Sequence, residues 1–345
     1  MDLHWLWLII PGSLFIIYLG LLWFLSEKVP TMKLHGKNVI ITGGSSGIGL
    51  ATAERLIREQ VASIAIIARK EALLASAKAH LESLITSLGA RCTIYTYSAD
   101  CSDYNRMCEC TSDFVDKVGT LDLLIASAGV SRPALIDDIP FEEFEWMSKI
   151  NYLGVVATCK AALGFFKKQK SGRIVIIGSM AGLFGITGYS SYAPTKYAVR
   201  GFAEVLFMEM KPYNVYVSVC NPPDVDTPMY KEEMKTKPKE CILMSEGSGL
   251  FSAEKLASDI VSGVKNYKFF IQTGFDGFLL GTLTAGTMPG ANFLDTFCSV
   301  TFASLFRLIV LFVRNGFDGI AQKCYEEREN GQATAATATA NDAKK

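Results

Sequence analysis

Two separate stretches of the chain carry residues that can do chemistry together. The first, Thr42-Gly43-Gly44-Ser45-Ser46-Gly47-Ile48-Gly49, directly follows the apolar run Asn38–Ile41. Glycines at these positions let a strand turn sharply into a helix, predicted here over Ile48–Glu59. Backbone N–H groups and the positive helix end then face a pyrophosphate. The second is Ser179, closing another apolar run, followed downstream by Tyr192-Ala-Pro-Thr-Lys196. Tyr192 and Lys196 lie four positions apart and share a face if the segment is helical. Pro194 is compatible with a first helical turn. A free tyrosine, with a pKa of about 10, exchanges protons poorly at neutral pH, and a neighbouring ammonium is expected to lower that value. Ser179 is placed to hold a carbonyl oxygen. Each stretch alone has a plainer reading, a ligand-free tight turn or an ordinary helix start. Together they describe hydride transfer: hydride from a nicotinamide to a carbonyl carbon, proton from Tyr192.

The cofactor preference is read from the second apolar run, which ends Ile66-Ile67-Ala68-Arg69-Lys70. An NAD-preferring site sets an acid near this point for the ribose 2′-hydroxyl. None is present, and Arg69 can pair with a 2′-phosphate that Ser46 can also hydrogen-bond, so NADPH is expected over NADH. The expected contacts are Gly43, Ser45, Ser46, Gly47, Ile48 and Gly49 of the turn, then Arg69, and Asp100 after the third run as partner of the adenine amino group.

These residues must be positioned by regular elements, and the sequence supplies them. Apolar runs at Asn38–Ile41, Ser63–Ala68, Cys92–Tyr97, Leu121–Ala126, Arg173–Ile177, Val215–Cys220 and Phe269–Gln272 alternate with helix-length stretches. Most are rich in Val and Ile and several do not alternate, as suits strands buried on both faces. Repeated βα units predict an α/β domain over residues 34–272 with a doubly wound parallel sheet. The polar stretch Val225–Ser252, with Pro228 and Pro238, is predicted to be a lid over the substrate.

Composition narrows the function classes. The chain has 345 residues, half of them apolar, and Lys+Arg equals Asp+Glu at 34 each, so no nucleic-acid partner is expected. Nine cysteines without paired CxxC spacing and only three histidines point to reduced thiols and to no metal site.

Both ends are apolar. His4–Leu25 has no charged residue; its length of roughly 33 Å as a helix matches a hydrocarbon core of about 30 Å. Asp2 before it and the lack of a small-residue cleavage site favour a retained anchor, residues 1–27, over a cleaved leader. Lys28, Lys33 and Lys37 place the following domain in the cytosol by the positive-inside rule. Residues 273–325 are apolar but interrupted at Met288-Pro289-Gly290 and by Arg307, which favours a re-entrant or surface-lying membrane segment over a second span. The low-complexity end, residues 326–345, is expected to be disordered.

The TGxxxGxG and YxxxK patterns resemble the short-chain dehydrogenase/reductase family over about residues 34–272, which implies a Rossmann-type fold. The resemblance implies a catalytic tetrad of Asn151, Ser179, Tyr192 and Lys196. Asn151, carried by Ile150-Asn151-Tyr152-Leu153-Gly154, would hold a helix bend and a water chain to the lysine. Lys196, beside Tyr192, would also bind the nicotinamide ribose. Three sites depart from the family: Ser127-Ala128-Gly129, preceded by Ala126, stands where it carries Asn-x-Ala-Gly, Gly178 replaces a serine, and Leu73 replaces a basic residue for which Lys70 can substitute. Longer blocks, among them Arg200–Glu204, Met210–Tyr216, Pro222–Pro228 and Leu305–Arg307, resemble the members of this family that make sphingolipids at the endoplasmic-reticulum membrane. This implies a long-chain keto-amine lipid substrate, whose ammonium an acid of the Asp224–Asp226 loop would meet. It also implies a homo-oligomer through the helices around Cys159 and Tyr197. Two other readings fit the same residues: a reductase of a steroid, retinoid or acyl ketone, and a membrane-anchored nucleotide-binding scaffold without turnover.

Overall fold

The computed structural model describes residues 6–26, 28–288 and 292–342, with side chains described between 11 and 330. Its centre is a seven-stranded, wholly parallel sheet in the order β3-β2-β1-β4-β5-β6-β9. The strands are β1 (Asn38–Thr42), β2 (Ser63–Ala68), β3 (Thr93–Ser98), β4 (Leu123–Ala126), β5 (Gly172–Ile177), β6 (Val215–Asn221) and β9 (Phe270–Gln272). The short β7 (Val225–Asp226) and β8 (Phe251–Ser252) pair with each other apart from this sheet. Each strand of the main sheet falls within two residues of its predicted apolar run. Val39, Ile40 and Ile41 are fully buried, because helices cover both sides and leave no solvent face to alternate towards. Each such side chain contributes roughly 1.5–3 kcal/mol on burial.

The helices are α1 (Leu6–Leu25), α2 (Gly47–Arg58), α3 (Glu71–Leu88), α4 (Tyr104–Val118), α5 (Phe141–Ser148), α6 (Gly154–Gln169), α7 (Ala193–Met210), α8 (Pro228–Glu233), α9 (Lys239–Ser245), α10 (Ala253–Asn266), α11 (Gly274–Leu283) and α12 (Phe293–Asp342). One core layer joins the sheet to α2, α3 and α10 through Leu56, Leu81 and Ile260. The other joins it to α4, α6 and α7 through Phe114, Phe166 and Phe207. Strand order reverses between β1 and β4, which opens a crevice at the carboxyl ends of the strands. The residues after β1, β2, β4 and β5 all empty into it.

The apolar ends meet. α1 is twenty residues long, and Lys28 stacks on Trp23 at its end, 3.7 Å from the ring centre. It packs on α12, where Tyr18 and Thr301 share a 2.8 Å hydrogen bond between hydroxyls. Among the described residues, α12 is the one helix long and apolar enough to cross a membrane, over Phe293–Asn330. Here the structure differs from the expected interrupted segment. Pro289 and Gly290 of the expected break lie outside the described residues, α12 starts beyond them at Phe293, and Arg307 stands exposed on the helix without interrupting it. The backbone also stays helical through the stretch expected to be disordered, as far as Asp342; that stretch is rich in alanine, the strongest helix former. Further along, Arg328 pairs with buried Glu240, and Lys239 with Glu327 at 2.6 Å, fastening α12 to α9.

Candidate active site

A cavity of about 630 Å³ fills the crevice. Its floor at one end is the glycine turn. Gly43 has φ +70°, a left-handed conformation that glycine adopts without strain, and its N–H donates to Ile67 O at 2.8 Å. Gly49 sits so close that a Cβ built on it would lie 2.4 Å from the Gly43 carbonyl oxygen. α2 begins here, and its N-cap Ser46 makes no side-chain capping bond, so its hydroxyl is available to a ligand. Bare glycine backbone, a free hydroxyl and a helix N-terminus form a donor set that fits a dinucleotide pyrophosphate. Ser45, Gly47 and Ile48 line the same wall.

Arg69 and Lys70 line the cavity beyond the end of β2, with Arg69 half exposed and its guanidinium 4.0 Å from Asp100 Oδ2. Asp100 Oδ1 accepts from the Ser102 N–H and hydroxyl, at 2.9 and 2.8 Å. Burial pushes this carboxyl up, but the two Ser102 hydrogen bonds and Arg69 outweigh it and hold it below the usual range. Leu73 also reaches the wall, so Lys70 is the second cation of this end.

At the other end stand Ser179, Tyr192 and Lys196, all on the cavity wall. Ser179 follows β5, and its hydroxyl caps a turn by accepting from Ala181 N at 3.1 Å. Tyr192 is the N-cap of α7, with Pro194 in the first turn as the sequence requires. Lys196, one turn on, is 5 % exposed and donates to Ile177 O at 2.9 Å, with its Nζ 5.5 Å from the Tyr192 ring centre. Asn151 is not on the wall but behind it, fully buried in a π-helical turn over Lys149–Leu153 that links α5 to α6. Its amide closes a two-way bond with Val130, Oδ1 accepting and Nδ2 donating at 2.8 Å each, and Nδ2 also reaches Thr195 Oγ1 at 3.3 Å. Asn151 thus ties the loop after β4 to the start of α7. The loop after β4 is held by Asn151 and by Ala128 N donating to Thr42 Oγ1 at 3.3 Å.

The electrostatics correct one expectation. Lys196 does not pull Tyr192 down. Burial first, then the negative charge of Glu233, push the phenol above its ordinary value, and a hydrogen bond from Ser179 opposes them in part. Burial also lowers Lys196 to about 8, with Glu233 opposing. Spacing predicted the pair; it could not reveal that both groups are desolvated. The outcome is a phenol held neutral at physiological pH, the form that gives a proton.

The remaining walls come from elements the motifs do not mark. The predicted lid folds as β7, α8, α9 and β8, and contributes Tyr230, Glu233 and Met244. Phe184 and Ile186 precede α7, while α11 and α12 add Phe275, Leu279, Ile309, Val310, Val313 and Phe317, an apolar face that Asp276 of α11 interrupts. The apolarity of residues 273–325 was visible in the sequence; its return to the cavity was not. The expected role of the Asp224–Asp226 loop also changes. Asp224 lines the cavity but is engaged at 2.8 Å by Lys237, whose side chain is buried, and Asp226 faces outward towards Lys231 at 3.3 Å.

The sequence profile of the short chain dehydrogenase family matches residues 37–238. A 3-dehydrosphinganine reductase of Danio rerio is 36 % identical over 329 residues, covering 94 % of this chain and 98 % of that protein. A 3-ketodihydrosphingosine reductase of Bos taurus is 36 % identical over 93 % of this chain and 97 % of its own length. Among solved structures, levodione reductase superposes with a TM-score of 0.62 at 24 % identity, covering 69 % of this chain and 95 % of its own. A short chain dehydrogenase of Burkholderia cenocepacia in complex with NADP gives 0.59 at 25 % identity, covering 69 % and 96 %. With the glycine cradle after β1 and the Ser179, Tyr192 and Lys196 cluster at the far end of one cavity, this chain belongs to the short-chain dehydrogenase/reductase family.

Proposed function

We propose that this chain reduces 3-ketosphinganine, a long-chain 2-amino-3-ketone, to sphinganine with NADPH, at the endoplasmic-reticulum membrane and facing the cytosol. The observation that carries the reading is the shape of the cavity. One cavity is lined by a nucleotide cradle at one end and, at the other, by proton-handling residues beside an apolar wall built from α11 and α12. The near-full-length likeness to reductases of this lipid ketone supports the substrate, and the NADP complex of a structural neighbour supports the cofactor class. A nicotinamide dinucleotide in the cradle supplies hydride to the carbonyl carbon. The Ser179 hydroxyl holds the carbonyl oxygen, Tyr192 gives it the proton, and Lys196 binds the ribose and passes a proton back to the phenol. Asn151 fixes the loops from which these groups project. Arg69, with Lys70 and Ser46 near it, takes the 2′-phosphate. α1 and the first half of α12 enter the bilayer side by side, so the acyl chain reaches the cavity along α12 without crossing water. The homo-oligomer implied by the family likeness packs through α6 and α7, which leave Tyr197, Val205 and Met208 exposed. A scaffold without turnover has no use for a buried phenol, lysine and serine gathered on one wall.

The test is NADPH oxidation by the full chain in lipid vesicles. Turnover with 3-ketosphinganine and little with a steroid ketone is expected; the reverse order rejects the reading. In the same assay Arg69→Ala should raise KM for NADPH about 10- to 100-fold, the worth of a charge-assisted phosphate contact, and barely change it for NADH. Reduction should also depend on pH through Lys196. It carries its charge below its pKa, so kcat/KM should hold at lower pH and fall as pH rises through about 8. A profile flat to about pH 10 would remove Lys196 from the proton path.

A further inference from the structure

Glu233 is the last residue of α8 and is 6 % exposed, yet it lies on the cavity wall. Its carboxylate Oε2 accepts from the Tyr189 hydroxyl at 3.2 Å, and the Tyr189 ring packs on Tyr192 with 5.4 Å between centres. No lysine or arginine nitrogen lies within ion-pair distance of it among the described residues. The neighbouring acids are accounted for: Asp224 is held by Lys237, Asp226 points to Lys231, and Glu232 pairs with Lys235 on the surface. Burial holds the Glu233 carboxyl above the usual range; the Ser131 hydroxyl opposes this, Asp224 adds to it, and Lys237 and the Tyr189 hydrogen bond oppose it further. A buried carboxyl without a cation is costly unless a ligand brings one.

We infer that Glu233 is the counter-ion of the substrate's ammonium group and selects 2-amino ketones over plain ketones. The inference rests on the lipid amino-ketone reading above and adds the residue that recognises the amine. The geometry suits it. In a 2-amino ketone the nitrogen stands on the carbon next to the carbonyl, so its counter-ion must lie beside the group that protonates the oxygen. Tyr189 bridges Glu233 and Tyr192, its hydroxyl donating to the carboxylate and its ring packed on Tyr192. The wall of α11 and α12 is apolar apart from Asp276, which belongs to the α11 end of the cavity and not to the Tyr189 and Tyr192 cluster, and Lys196 and Lys237 would repel an amine. Tyr189 donates to Oε2 and fixes the carboxylate beside Tyr192.

Glu233→Gln keeps the shape and the acceptor for Tyr189 but removes the charge; Glu233→Asp keeps the charge and shortens the reach. Both are compared with the wild type in vesicles, after NADPH binding by fluorescence shows each to be folded. The substrates are 3-ketosphinganine and its desamino analogue of equal chain length. The ratio of kcat/KM for the amino ketone over the desamino ketone should fall about 50-fold in Glu233→Gln, as expected for losing a charge-assisted contact, and less than about 5-fold in Glu233→Asp. A ratio within about twofold of wild type in Glu233→Gln overturns the inference, as does an equal loss on both substrates, which would make Glu233 a support of Tyr189 and Tyr192 only. Wild type that turns over the desamino ketone but not the amino ketone overturns it too, while leaving a ketone reductase. Wild type that reduces neither removes the functional reading and the inference together.

Discussion

Replacing Tyr192 by Phe should lower kcat for ketone reduction by about 10²- to 10⁴-fold while leaving the Kd of the dinucleotide within about twofold. The asymmetry follows from where the hydroxyl sits. The ring is packed against Tyr189 and is 7 % exposed, so phenylalanine fills the same space without a cavity or a clash. The cradle is built by the turn after β1, at the opposite end of the cavity, and does not sense the change. What disappears is a proton donor that burial keeps neutral. Ser179 remains, but a serine hydroxyl held by Ala181 N is a poor acid. Stopped-flow with preloaded NADPH separates binding from turnover. Loss of both together would mean that Tyr192 is a cofactor support and that the proton comes from elsewhere.

Gly49→Ala should abolish binding of the dinucleotide, raising Kd by about 100-fold or more, with the folded state only moderately destabilised. The added Cβ would meet the Gly43 carbonyl oxygen at 2.4 Å and its carbonyl carbon at 2.8 Å, both backbone atoms of the turn itself. No side chain can swing away to relieve this, so the turn must open. The N–H groups that would hold a pyrophosphate then lose their common direction. Ala at Gly201 offers the control. It lies on the exposed side of α7 with nothing within 4 Å of the new Cβ, and should change neither property. Titration of each variant with NADPH, followed by thermal unfolding, tells the two effects apart; unchanged affinity in Gly49→Ala would mean the nucleotide lies elsewhere.

How much of this was legible depended on whether the determinant was local. The strands were, because Val- and Ile-rich runs such as Val39–Ile41 and Ser63–Ile67 have no polar face to offer. The cradle was, because three glycines between a strand and a helix have few other uses. The tyrosine and lysine were, through helical spacing. The sign of their mutual effect was not. It depends on desolvation by the lid and by Glu233, both distant in sequence. The sequence points to Asp224 and Asp226, shortly after β6, for the acid of the substrate end. Lys237 folds back from beyond α8 to occupy Asp224, and leaves the role open to a residue with no motif. The break at Pro289-Gly290 read as an interruption inside a membrane segment because its register against α12 becomes visible only once the helix start at Phe293 is known.

The unequal roles of the two greasy ends bear on how a soluble form should be made. No described residue of α1 touches the cavity, so that helix can be trimmed without unbuilding the site. Removing α12 with it would take Ile309, Val310, Val313 and Phe317 from the cavity and release α9 from Arg328 and Glu327. A truncation chosen for solubility alone would leave the nucleotide half intact and the lipid half roofless, a protein that still binds its coenzyme and has nowhere to seat a fat.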